Sequence, residues 1–242
     1  MQPFHPPLIH RVLAILLPLL LCVPVLAQGA VVPSKGKEFW FGFMRNYGGW
    51  EPPYVLELYI SAETATSGVV SVPRMGHTWP FSTVPGQTTT ISIPVDVGVN
   101  SGSEFVDDRG IHVIINYESY SSDGTVIMPV AALGIDYRIF AYSGMSPGPG
   151  LASEFLIVAT KDGTEVEVTS SQITAAGHMP GETWVVALDS GQTYQVQAFD
   201  PLKDLTGSTV RGTERSGSCR PFAVFGGSAC AEVPTDCWAC DH

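Results

Sequence analysis

The chain has 242 residues, with 12 Lys and Arg against 23 Asp and Glu, and a formal net charge of −11 at neutral pH. Charged residues make up 14% and hydrophobic residues 45%, which excludes a disordered acidic tail. Four scattered lysines on an acidic chain offer no phosphate-binding patch, so nucleic acid is excluded as a partner.

The chain begins with Arg11, the apolar run Val12–Val25 and the small-residue site Val25-Leu26-Ala27. That order is the order of a secretory signal peptide, residues 1–27, with cleavage before Gln28. The run is shorter than the ~20 apolar residues that span a bilayer, so no membrane span is expected. Cys22 follows Leu21 where a lipoprotein site needs a small residue. Arg11 is the segment's only charged residue, so its removal takes the net charge from −11 to −12.

Next comes an aromatic cluster: Phe39-Trp40-Phe41, Phe43, Tyr47, Trp50 and Tyr54. Phe39, Phe41 and Phe43 alternate and are expected to be the inward face of a first strand. Trp40 is then expected to face outward with Tyr47, Trp50 and Tyr54 around the Gly48-Gly49-Trp50-Glu51-Pro52-Pro53 loop. Exposed aromatics of this kind are possible recognition anchors, for protein or for sugar faces.

From Leu56 onward period two dominates. Leu56-Glu57-Leu58-Tyr59-Ile60, Thr90-Ile91-Ser92-Ile93, Glu165-Val166-Glu167-Val168 and Tyr194-Gln195-Val196-Gln197 each predict an apolar face inward and a polar face outward. Pro85-Gly86, Asp123-Gly124, Asp162-Gly163 and Ser190-Gly191 supply hairpin signals between them. The 25 glycines and 19 prolines leave little room for long helices. The class is all-β.

The second half echoes the first. Leu58 aligns with Leu156, Gly86 with Gly191 and Val113 with Val224, at offsets of 98, 105 and 111 residues. Growing offsets are what loop insertions in a duplicated unit produce. Two similar antiparallel β-sandwich-like units are expected, about 36–145 and 150–242 within a domain spanning 28–242. Propeller-like blades are the alternative.

Motifs with catalytic overtones fail on mechanics. Gly144-Met145-Ser146-Pro147-Gly148 matches a nucleophile pattern, but the residue after the serine must donate a backbone N–H to the oxyanion, and Pro147 has none. Asp107-Asp108, Asp123-Gly124 and Asp162-Gly163 lack the dense oxygen ligands of a calcium loop and read as turns. His77, His112 and His178 stand far apart with no acid or cysteine at a useful spacing. No enzyme and no cofactor are expected.

After the signal, the cysteines are Cys219, Cys230, Cys237 and Cys240. An even count in an exported chain reads as disulfides, with three possible connectivities. Zinc held by Cys230, Cys237, Cys240 and His242, or a redox pair Cys237-x-x-Cys240, are the other readings.

An ordered set of short motifs runs through the mature chain. It comprises Gly36-Lys37-Glu38-Phe39-Trp40-Phe41-Gly42-Phe43-Met44 with Asn46, Gly110-Ile111-His112-Val113, Ala132-Leu133-Gly134 and Phe155-Leu156-Ile157-Val158-Ala159-Thr160. Gly191-Gln192-Thr193-Tyr194-Gln195, Asp204-Leu205-Thr206-Gly207-Ser208, Ala223-Val224-Phe225-Gly226-Gly227 with Cys230, and Ala239-Cys240-Asp241-His242 complete it. From Gly36 to His242 this set resembles the IgGFc-binding protein N-terminal domain. The resemblance implies a secreted, non-enzymatic binding or adhesion module of a mucus, matrix or cell-surface protein. Its partner would be an extracellular protein or glycoprotein, with immunoglobulin Fc implied only by the family's name; a carbohydrate-binding β module is the alternative. Domains of this family continue beyond the Ala-Cys-Asp-His motif, so the chain is expected to be a fragment.

Overall fold

The computed structural model describes residues 34–45, 55–100, 104–121, 125–144, 152–213, 220–232 and 238–239. All of these lie in one folded unit, Pro33–His242. Among them the structure is all-β, in four antiparallel sheets of which none closes into a barrel. Among the described residues helix is confined to one α-helical turn, α1 (Val95–Gly98), and two short 3-10 turns.

The first sheet contains β1 (Gly36–Phe41), β2 (Leu56–Ala62), β3 (Thr66–Val72), β4 (His77–Thr83), β5 (Thr88–Ile93) and β7 (Ile111–Ser121). Its order is β4-β3-β7-β2-β5, and β1 also pairs with β7. The long β7 pairs with β3 through His112–Ile115 and with β2 through Ser119–Ser121. One strand thus carries both halves of the sheet, which fold over a common core of Phe39, Phe41, Leu58, Ile60, Val70 and Ile111. The alternating pattern of β2, buried at Leu56, Leu58 and Ile60 and half-buried between, is the predicted one.

The central sheet has the order β14-β9-β12-β6, from β14 (Phe222–Ser228), β9 (Ser153–Ala159), β12 (Thr193–Gln197) and β6 (Val106–Asp107). An outer sheet lies over it in the order β11-β10-β13-β8, from β11 (Thr183–Leu188), β10 (Thr164–Thr169), β13 (Thr209–Gly212) and β8 (Asp136–Arg138). A two-stranded ribbon, β15 (Ala231–Glu232) with β16 (Trp238–Ala239), completes the described elements. None of the larger sheets follows the sequential strand order of a propeller blade; the arrangement is sandwich-like.

Both faces of the central sheet are covered. Phe155, Ile157, Val196 and Phe222 pack against Val166, Val168, Leu188 and Val210 of the outer sheet. Leu156, Val158 and Ala223, on the opposite face, pack against Trp40 and Met44. Every residue of β9 and β12 is buried as a result. Each large apolar side chain so enclosed contributes roughly 1.5–3 kcal/mol of transfer free energy.

Two expectations from alternation are corrected here. Gln195 and Gln197 are buried and not outward, because β12 has a layer on each side. Trp40 does not face solvent: at 4% exposure it fills the space between β1 and the central sheet. Phe39 and Phe41 are buried on the other side of β1, as predicted.

The pairing pattern recurs between the halves. β7-β2-β5 has the order of β14-β9-β12, and the hairpin β3-β4 has its counterpart in β10-β11. The exchange across the halves is also direct: β6 pairs with β12, and β8 pairs with β13. Three of the predicted turns hold glycines of positive φ, Gly86 (76°), Gly163 (65°) and Gly191 (79°); Asp123-Gly124 lies outside the described residues.

Candidate functional site

The Gly191–Gln195 motif holds the two halves together. Gly191, in the left-handed region, lets its carbonyl accept the Gly110 N–H at 3.0 Å. Gln192 then donates Nε2 to Asp108 Oδ1 at 3.1 Å, and Arg74 Nε donates to the same oxygen at 2.6 Å. These two donors hold the Asp108 carboxyl below its ordinary pKa, the Gln192 bond contributing most. Thr193 Oγ1 accepts from buried Asn100 Nδ2 at 2.6 Å, while the Asn100 N–H donates to the Phe43 carbonyl. Gln195 Oε1 accepts the Arg45 backbone N–H at 3.1 Å. The motif therefore touches residues from β1, the β6 region and the β3–β4 connection.

Close approach fixes the glycines at this seam. A Cβ on Gly110 would lie 2.6 Å from the Gly191 carbonyl oxygen, whereas one on Gly134 would meet nothing nearer than 3.8 Å. Gly110→Ala is expected to cost about 1–3 kcal/mol and Gly134→Ala a few tenths, measured by urea midpoints. Equal midpoints for the two variants would contradict the close-packed seam.

At the end of the same sheet face sits Glu154. Its Oε2 accepts 2.6 Å bonds from Gln195 Nε2 and Gln197 Nε2, and Oε1, also buried, has no hydrogen-bond partner. Burial pushes the carboxyl up to about 8, against the opposing pull of the two amide donors and of Arg45. Glu154 is thus a neutral group at mildly acidic pH. Composition and spacing gave no sign of it; the signal available was a carboxylate inside the apolar run Ser153–Ala159, where a strand buried on both faces was to be expected.

Each of the three histidines noted in the sequence stacks on a tryptophan. His112 lies on Trp40 with ring centroids 3.9 Å apart, His178 on Trp184 at 3.8 Å, and His77 on Trp79 at 6.0 Å. Trp40 Nε1 donates to Glu38 Oε1 at 3.1 Å, and His112 Nε2 is 3.2 Å from the same oxygen. Burial lowers the His112 pKa despite that carboxylate. No cluster of three His, Cys, Asp or Glu positioned for a metal occurs among the described residues.

A cavity of about 740 Å³ opens between the first and central sheets, lined by Phe43, Met44, Val55, Ile127, Leu133 and Phe225 among others. β11 ends the outer sheet and, among the described strands, pairs with β10 alone.

Of the recognition candidates, Trp40 is in the core, and Tyr47, Trp50 and Tyr54 lie outside the described residues. Cys230 is fully buried, while Cys219, Cys237, Cys240 and His242 lie outside the described residues, as does the Met145–Gly148 part of the nucleophile-like motif.

Residues 123–242 match the family model described as IgGFc binding protein. Over that segment the chain is similar to the IgGFc-binding family. Searches of curated proteins and of solved structures return no match. The IgGFc-binding match contains β8 to β16, and with them the whole outer sheet and three of the four central strands. The Gly36–Met44 motif falls before it, yet that motif supplies Trp40 and Met44 to the seam on which the matched segment rests.

Proposed function

We propose that the protein is an extracellular, non-catalytic binding or adhesion module whose partners are proteins or glycoproteins. The IgGFc-binding match over residues 123–242 carries this reading. The signal-like segment 1–27 supports export. A disulfide at buried Cys230, whose partner would be Cys219, Cys237 or Cys240, supports an oxidising compartment. The recurring strand order supports reading 36–145 and 150–242 as two copies of one unit. Among the described residues no helix is long and apolar enough to cross a membrane.

The test is binding of the purified secreted chain to immobilised Fc fragment and to a panel of purified mucus and matrix glycoproteins, with their deglycosylated forms alongside. Saturable binding that survives deglycosylation is the expected result. Binding lost with the glycans would replace it with a carbohydrate-binding module, and no binding to any member would end the reading.

A further inference from the structure

We propose that the outer edge of β11 receives an extended, basic segment of the protein partner as an added strand of the outer sheet. The inference rests on the binding-module reading and names the surface and the chemistry of what it takes.

The first observation is a strand edge with no partner among the described strands. A sheet's terminal strand presents unpaired N–H and C=O groups that template another strand unless the edge is blunted. Other edges among the described strands are blunted or occupied. β4 carries Pro80, and β5 is approached by β4, where Thr89 Oγ1 donates to the Ser82 carbonyl at 2.9 Å. β6 and β8 have only two and three residues. Beside β14 runs the chain at Phe140, whose carbonyl leaves no room for a Cβ on Gly226. β11 has six residues, Thr183-Trp184-Val185-Val186-Ala187-Leu188, with no proline and no charge. Its ladder to β10 is regular from Thr169↔Thr183 to Thr164↔Leu188. Val185 is 55% exposed, and Thr183 and Ala187 are exposed beside it. Such an edge admits β-augmentation, where main-chain bonds hold the guest and alternate side chains select it.

The second observation is charge. Glu182 directly precedes the strand and Asp189 directly follows it. On β10, Glu167 stands opposite Val185 and Glu165 opposite Ala187. Arg211 of β13 stands opposite Glu167 on the other side of β10 and is bonded to Asp136 at 3.2 Å, and His178 lies 2.8 Å from Glu182, so Glu165, Glu167, Glu182 and Asp189 face two partly committed cations. An added strand would run about 5 Å from β11 and about 10 Å from β10. Lysine or arginine on its outer face reaches back over Val185 and Ala187 toward those carboxylates, within the range where attraction survives physiological salt. A second copy of this chain brings the same carboxylates against each other, on a protein of net charge −11. Charge therefore selects a basic guest.

The probe is a fluorescent, terminally blocked (Lys-Val)3 peptide, with (Glu-Val)3 as control, titrated with the full chain by anisotropy at low and high salt. Val185→Lys places a like charge on the exposed edge, and Val185→Thr keeps a β-branched side chain; melting curves confirm that both fold. Wild type and Val185→Thr are expected to bind (Lys-Val)3, more weakly at high salt, with roughly tenfold or greater loss in Val185→Lys. Equal binding by wild type and Val185→Lys, or equal binding of (Glu-Val)3, overturns the proposal. So does a wild-type dimer in light scattering that Val185→Lys dissociates, since the occupant is then a second copy. Any protein partner found for the wild type is then offered to Val185→Lys. Undiminished capture ends the edge inference and leaves the binding module standing, whereas a wild type that captures nothing ends the module itself.

Discussion

Glu154→Gln is expected to remove most of a fall in stability that the wild-type protein shows between pH 4.5 and about 8. The sign follows from the raised pKa. Glu154 moves from 4.5 to about 8 in the folded protein. Between those values the folded state keeps a proton that the unfolded state has released. The contribution of Glu154 to stability is therefore greatest below about 4.5, declines as pH rises, and levels off above the folded value. The span corresponds to on the order of 5 kcal/mol, or about 10–20 °C in melting temperature for a domain of this size. The substituted amide retains an acceptor for the two glutamine side chains and cannot ionise, so the variant's stability profile is expected to be flatter and to lie above wild type at pH 8. His112 contributes with the opposite sign, since its folded pKa is lowered from 6.5 and its stabilisation is lost as pH falls. Comparing the two proteins at each pH cancels that contribution. Parallel stability profiles would show that Glu154 ionises freely in the folded chain.

Trp40→Ala is expected to destabilise by about 3–5 kcal/mol, the range for emptying a large aromatic site in a packed core. The indole touches three things at once: the His112 ring, Glu38 Oε1 and the apolar group of Leu156, Val158 and Ala223. Trp40→Phe keeps the stack and loses the hydrogen bond, so its cost is expected to stay near 1–2 kcal/mol. Urea midpoints separate these. In a binding assay below the melting temperature, Trp40→Ala is expected to behave as wild type. A loss of affinity with unchanged stability would return Trp40 to the surface as an anchor.

That residue also marks how far the sequence is readable. Period two located β2, β5, β10 and β12, because a side chain's direction along a strand is a local property. Which faces are wet is not local. Trp40 and Gln195 both lie on strand faces that alternation assigns to solvent, and both are covered by a layer from elsewhere in the chain. The uninterrupted apolar run Phe155-Leu156-Ile157-Val158-Ala159 is the one local sign that a strand is enclosed on both sides. The motif Gly191–Gln195 was visible as a recurring string, but its role as a seam depends on Asp108, Asn100 and Arg45, all far away in sequence. Glu154 stands at the head of that apolar run, but its role depends on Gln195 and Gln197, more than forty residues on.

The way β6 and β8 are shared across the halves bears on how the molecule is made. β6 finds its partner at Thr193 and Tyr194, and β8 at Thr209–Arg211. During synthesis the first half therefore emerges with Trp40, Met44 and the β6 strand uncovered, and it must wait for nearly all of the second half before they close. Non-local pairing of this kind places folding in the slow range for β proteins, milliseconds to seconds or longer. Throughout that interval the nascent chain exposes an apolar seam and an open strand. The yield of folded protein is therefore expected to depend on how fast that seam closes as well as on the stability of the finished fold.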